Sequence, residues 1–230
     1  MGKIIAIVGG GGKTTSMMSL SRYLSGQRVL LTTTTHIVPV EPPECREFLP
    51  DPEEMQLFTA LQKPGVVCSG HLGAWGKLCG LSIPMLRNAA AAADWTLCEA
   101  DGAHRMPLKL HNGGEPVIPA NTDLLLIVAG LSAIHKPVCR AIHRFELNPW
   151  WKEQSLKEVT GEDLLLCIRE TVAVSKVPKD RVKILLNQQD MLEKPQMGNE
   201  LAERLQNEGY RACAGSMKTE PEKLCAWIIS

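Results

Sequence analysis

The chain carries no surplus of either charge: 25 Lys and Arg stand against 25 Asp and Glu. With no basic stripe, nucleic acid is excluded as the main partner. No apolar run approaches the roughly 20 residues that span a membrane, so no membrane association is expected. The first residues lack the charged, apolar and small-residue regions of a signal peptide, and a cytoplasmic location is the expectation. None of the eight cysteines forms a Cys-x-x-Cys pair. The six histidines, all between His36 and His143, lack the close His-x-x-x-His spacing of a strong zinc motif. Cys68, Cys98 and Cys167 sit inside apolar runs and read as small core residues in a reducing compartment. Without repeat, low-complexity tract or linker, residues 1–230 read as a single domain with long functional loops at about 38–80 and 103–121.

What is present begins at once. Residues 4–8 are apolar and read as a buried strand, Gly9, Gly10, Gly11 and Gly12 break it, and residues 16–24 read as a helix after Lys13, Thr14 and Thr15. Strand, glycine loop, Lys-Thr and helix make a phosphate-binding loop. Glycine amides and the helix dipole hold a polyphosphate, Lys13 reaches its outer phosphates, and a Thr hydroxyl ligates Mg²⁺. The usual pattern wants a glycine where Ile7 stands. The form here, Gly9-x-x-Gly12-Lys13-Thr14-Thr15, is two residues shorter and resembles the loop of the Mur peptide ligases.

A second strand, residues 27–36, ends in four threonines and His36. Parallel strands deliver functional groups at their carboxyl ends, which makes Thr34, Thr35 and His36 candidates for a metal shell or a phosphate oxygen. The stretch from Trp95 to Gly102 ends an apolar strand in Glu99 and Asp101, two apart and so expected on one face, as a Mg²⁺ or water site needs. Past them, the loop 103–121 gathers His104, Arg105, Lys109 and His111, cations fit to close over an anion.

The helix near residues 51–61 is expected to be capped by Asp51, and the one after Thr160 by a capping box with Asp163. Trp150 and Trp151 mark either a contact surface or core. Residues 181–190 form a strand running into Asn187, Gln188, Gln189 and Asp190, which resembles the Asn-Lys-x-Asp base-reading motif of GTPases with Gln188 in place of lysine. There Asp190 would accept both N–H groups of a guanine edge, which favours GTP over ATP. Strands alternate with helices throughout. The expected fold is therefore α/β, a mostly parallel sheet with helices on both faces, the three-layer sandwich of P-loop nucleoside triphosphate hydrolases.

Taken together, the glycine loop, Leu31 to His36, Glu99-Ala-Asp-Gly102 with Pro107 to Lys109, Glu115 to Pro119, Lys136-Pro137, His143-Arg144 and Leu186-Asn187 resemble the YqeC family. That family is described as accessory to selenium-dependent molybdenum hydroxylases. The resemblance implies a nucleotide-dependent maturation role, with the hydroxylase or its cofactor-handling proteins as partners. On this reading Lys13, Glu99 and Asp101 are catalytic, Thr14, Glu99 and Asp101 hold Mg²⁺, and the nucleotide, GTP or ATP, is bound by the loop together with Thr34, Thr35, His36, Arg105, Lys109, Asn187 and Asp190. A ligase or kinase activating a small anion, and a nucleotide-sensing module that never hydrolyses, are the alternatives.

Overall fold

The computed structural model describes residues 2–230, the Trp75 side chain excepted. Its strands are β1 (Lys3–Gly9), β2 (Arg28–Thr33), β3 (His36–Ile37), β4 (Glu47–Pro50), β5 (Gly65–Leu72), β6 (Leu78–Cys79), β7 (Trp95–Glu99), β8 (Leu108–Lys109), β9 (Leu124–Gly130), β10 (Ile142–His143), β11 (Val182–Asn187) and β12 (Arg211–Ala214). Its helices are α1 (Lys13–Tyr23), α2 (Glu54–Ala60), α3 (Ile83–Ala92), α4 (Val138–Ala141), α5 (Pro149–Glu153), α6 (Gly161–Ser175), α7 (Gln196–Asn207) and α8 (Pro221–Ile229). The fold is α/β with a mostly parallel sheet, the class expected from the alternation. Among the described residues no helix is long and apolar enough to cross a membrane.

The chain divides into two compact units. One holds the chain up to Ile7, Met17–Asp101 and Val117–Leu124; the other holds Val8–Ser16, Gly102–Pro116 and Leu125–Ser230. In the first unit β1 pairs with β7, β7 with β2, and β2 with β5, all parallel, so that Ile7 and Thr33 both stand opposite Glu99. Leu30 and Val67 of this sheet are buried in one cluster with Leu57 and Leu61 of the α2 region and Leu86 and Ala89 of α3. Such burial contributes about 25 cal/mol per Å² of apolar surface removed from water.

Two details of this unit stand out, the second against expectation. Strand β5 runs on to Leu72 because β4 pairs with it in parallel as far as Pro50 and Gly70, and Ser69 Oγ donates to Leu49 O at 2.8 Å. A strand ending in proline inside an acidic stretch carries little local signal, although an edge tolerates it. Asp51 does not cap α2, whose N-cap is Glu53. Asp51 takes a left-handed φ of 48° and spends its carboxylate on Leu72 N–H at 3.1 Å and His71 Nδ1 at 3.2 Å, at the end of β5.

In the second unit β9, β11 and β12 are parallel, and β8 pairs with β10 as a separate parallel ribbon. Helix α6 begins with the expected capping box: Thr160 Oγ1 accepts from Asp163 N–H, and Thr160 N–H donates to Asp163 Oδ2 at 2.8 Å. The buried Asp163 does more than cap. It also accepts from Trp151 Nε1 at 3.1 Å and Lys157 Nζ at 2.8 Å, so Trp151 is fully buried. Burial alone would raise the Asp163 pKa, but the Lys157 and Thr160 hydrogen bonds hold it below the usual carboxylate range. Trp150, by contrast, is exposed, with the Lys157 ammonium 4.3 Å from its ring centroid. Cys68 and Cys98 are buried thiols pushed up to about 12 by desolvation, as expected of core residues.

Removing the Asp163 carboxylate strands a buried indole N–H, a lysine and a helix start together. Asp163→Ala is expected to lose about 2–4 kcal/mol in urea unfolding. Asp163→Asn, which still accepts from Trp151 or Thr160, should lose less, and equal losses would show that the charge, which both variants remove, is what the site uses.

Candidate functional site

The glycine loop lies in the second unit, and its shape follows from what its backbone meets. Gly12 has a φ of +118°, and a Cβ there would stand 2.3 Å from Asn187 Nδ2. Gly11 packs against Gly130 so closely that a Cβ on Gly11 would lie 2.3 Å from Gly130 Cα. Only glycine serves at either place. Gly10 N–H donates to Val128 O at 2.8 Å, Gly11 N–H to Met106 O at 3.1 Å, and Gly130 N–H to Pro107 O at 2.8 Å. Two glycine amides are thus committed to carbonyls of the neighbouring β9 and the 106–107 segment.

Donors remain at the start of α1. The first amides of a helix have no acceptor inside it, and here those positions include Thr14 and Thr15. Both threonines are exposed. Lys13 is buried, with its ammonium turned back on Gly9 O at 2.8 Å. The arrangement can offer an anion a helix dipole, backbone N–H groups and two hydroxyls, with a cation close behind.

Asn187, at the end of β11, braces this loop. Its Nδ2 donates to Gly11 O at 2.8 Å and its Oδ1 accepts from Met217 N–H at 2.9 Å, two unlike partners that fix the orientation of the amide. It is buried, whereas Asp190, in the short turn that follows, is exposed. Gln188 takes a left-handed φ of 66° and accepts from Ser132 Oγ at 2.7 Å.

The segment that receives Gly11 carries the cations. Lys109 is buried and donates to Gly102 O and Glu115 Oε2, both at 2.6 Å; Arg144 grips the same carboxylate at 2.6 and 3.3 Å. Burial would raise the Glu115 pKa, but Arg144 and Lys109 hold it down, so it stays ionised. Arg105 is exposed, one residue before Met106.

The remaining candidates lie in the first unit. Thr33 Oγ1 and Thr34 N–H both donate to Glu99 O, at 2.7 and 3.1 Å, and Thr34 Oγ1 donates to Val117 O at 2.6 Å. Thr35 N–H donates to Thr33 Oγ1 at 2.9 Å. The threonine run therefore ties strand ends together. Glu99 is the last residue of β7 and Asp101 follows in irregular chain, beyond the strand whose alternation was to set both on one face; both are buried. His36 stands apart in β3, exposed and opposite Cys79. Among the described residues no group of three or more His, Cys, Asp or Glu could hold a metal ion.

Sequence reasoning overlooked the acceptors of the loop, Val128, Met106 and Pro107, because a carbonyl belongs to every residue. Gly130, a glycine closing a buried strand, was the one available signal of close approach.

A family model described as "YqeC protein" matches residues 5–146. The chain is 32% identical over 189 residues to the "Uncharacterized protein YqeC" of Escherichia coli (strain K12), covering 78% of this chain and 70% of that protein. No solved structure matches.

The brace and the exposed carboxylate should separate in a stability measurement. Asn187→Ala leaves Gly11 O and Met217 N–H without partners and is expected to cost about 1–3 kcal/mol in urea unfolding. Asp190→Ala should stay within about 0.5 kcal/mol of the parent.

Proposed function

Since the chain belongs to the YqeC family, and its glycine loop delivers Lys13, Thr14 and Thr15 to the start of one helix, we propose that it binds a nucleoside triphosphate with Mg²⁺ and hydrolyses it, as an accessory factor in maturing a selenium-dependent molybdenum hydroxylase. The observation that carries the reading is the set of amides at the start of α1 beside Lys13 and the two exposed hydroxyls. The hydroxylase context comes from the family resemblance and adds no chemistry to the site. Nucleotide binding rests on second-unit residues alone.

With nucleotide bound, the amides of Gly12, Thr14 and Thr15 donate to its phosphates and the Thr14 hydroxyl is placed to ligate Mg²⁺. Lys13, whose ammonium donates to Gly9 O, turns to a phosphate oxygen, where its charge meets an opposite charge. Mg²⁺ supplies neutralisation of charge on the β and γ phosphates. Both ends of the Asn187 amide are engaged, so discrimination between bases falls to Asp190. A carboxylate accepts from two guanine N–H groups and repels the ring acceptor of adenine, which favours GTP.

Calorimetric titration with Mg²⁺ plus GTP, and separately plus ATP, tests the reading. One nucleotide is expected to bind, and Lys13→Ala should weaken it at least about tenfold, the loss of one charge-assisted bond. Phosphate release that vanishes in the same variant marks hydrolysis. Binding without release would favour a nucleotide-sensing module, and equal binding by Lys13→Ala would overturn the proposal.

A further inference from the structure

Strand β12 ends its sheet, pairing with β11 alone. Gly215 N–H donates to Leu186 O at 3.0 Å, so in this parallel ladder Cys213 and Gly215 turn to β11 while Ala212 and Ala214 turn outward. An edge of this kind offers its amides and carbonyls to any extended chain. Gln206 Nε2 guards one place by donating to Ala212 O at 2.8 Å. The N–H and C=O of Ala214 have no hydrogen-bond partner among the described residues.

A cavity lies against them. Its volume is about 330 Å³, within the range of ligand pockets, and it is lined by Cys213 and Ala214, by Glu203 and Gln206 of α7, and by Leu224 and Trp227 of α8. The two walls differ in character. Ala214 points its Cβ at α7, since a Cβ on Gly198 would stand 3.3 Å from it. Alternate residues point the other way, and a Cβ on Gly215 would stand 2.9 Å from Leu224 of α8. On the α7 side Glu203 is exposed and forms no ion pair among the described residues, its neighbour Arg204 being spent on Glu162. On the α8 side Lys223, the other charged residue of the lining, is paired with Glu220 at 2.7 Å. The charge left uncompensated is one carboxylate on the α7 wall, while Leu224 and Trp227 make the α8 wall apolar.

We propose that β12 receives an extended segment of a partner protein as an added antiparallel strand, with a lysine or arginine opposite Ala214 and an apolar residue on either side of it. That basic residue exchanges both backbone hydrogen bonds with Ala214, as the two members of an antiparallel hydrogen-bonded pair do. Directly opposite residues share a face, so its side chain lies on the α7 side, where Glu203 stands. Its two neighbours turn to Leu224 and Trp227. A second copy of this chain cannot supply the strand from its own β12, because each edge lies between its own α7 and α8. The site uses no residue of the glycine loop and stands whether or not nucleotide binds.

NMR titration with the blocked pentapeptide acetyl-Thr-Val-Lys-Val-Thr-amide, and with its counterpart carrying a central glutamate, tests the site. The Ala214 amide and Trp227 indole signals should shift, and the lysine peptide should bind at least about tenfold more tightly than the glutamate peptide. Glu203→Lys, at an exposed position, should reverse that preference. Ala214→Pro removes an N–H that serves no ladder bond, and it should weaken the lysine peptide at least about tenfold. If that variant fails to fold, the lysine peptide N-methylated at its central residue replaces it and should bind as weakly. Lys13→Ala should bind the peptide as the parent does. Equal binding of the two peptides, or no shift at Ala214 with millimolar lysine peptide, would overturn the proposal. So would a dimer in sedimentation that Ala214→Pro disperses, which would give the edge to a second copy.

Discussion

A backbone amide or carbonyl buried in a protein has to find a partner, and a run of four glycines concentrates that demand in a few ångströms. Gly10 and Gly11 direct their amides to Val128 and Met106, and the carbonyls of Gly9 and Gly11 are met by Lys13 and Asn187. The loop therefore arrives at α1 already shaped, its conformational entropy spent in folding rather than on a ligand. The constraint reaches outward. Gly130 has no side chain because Gly11 lies against it, and Asn187 is an amide because its two neighbours present one acceptor and one donor.

The same accounting explains the cation-rich wall. Lys109 could not be buried beside Gly102 O alone, since an isolated ammonium loses far more in hydration than one carbonyl returns. Glu115 makes its burial tolerable, and Arg144 closes the carboxylate from the other side. One negative charge thereby fixes two cations, and the turn from Ala103 to Met106 is held while two of its residues take left-handed conformations. Strain of that kind persists only where surrounding structure dictates it.

Much of this was legible from residues alone where the signal is local. Strands β1, β7, β9 and β11 are apolar runs bounded by glycine or polar residues, and the Thr160–Asp163 capping box is written in four consecutive positions. The sheet class followed from the alternation. Reading failed where partners are distant in sequence or carried by backbone. Asp51 resembled a cap, yet its carboxylate serves residues about twenty positions on, at His71 and Leu72. Lys109 resembled a loop cation and is instead buried in an ion pair. Thr34, a ligand candidate by its place after β2, donates to Val117 O, and its neighbour Thr33 to Glu99 O. Nothing in their spacing could have said which acceptor each hydroxyl would meet.

Asn187 shows why a short motif and a structural brace are hard to tell apart. A base-reading turn needs an asparagine that links the phosphate loop to the next strand's end, and so does any loop of this shape that must keep Gly11 O satisfied. Geometry at Asn187 is therefore silent about the base, since both purposes ask for the same two hydrogen bonds. Gln188 is silent too, because its side chain is turned to Ser132. Asp190 differs: it is exposed, in the short turn three residues beyond the brace, and under the proposed nucleotide reading its carboxylate has the task of telling one base from another.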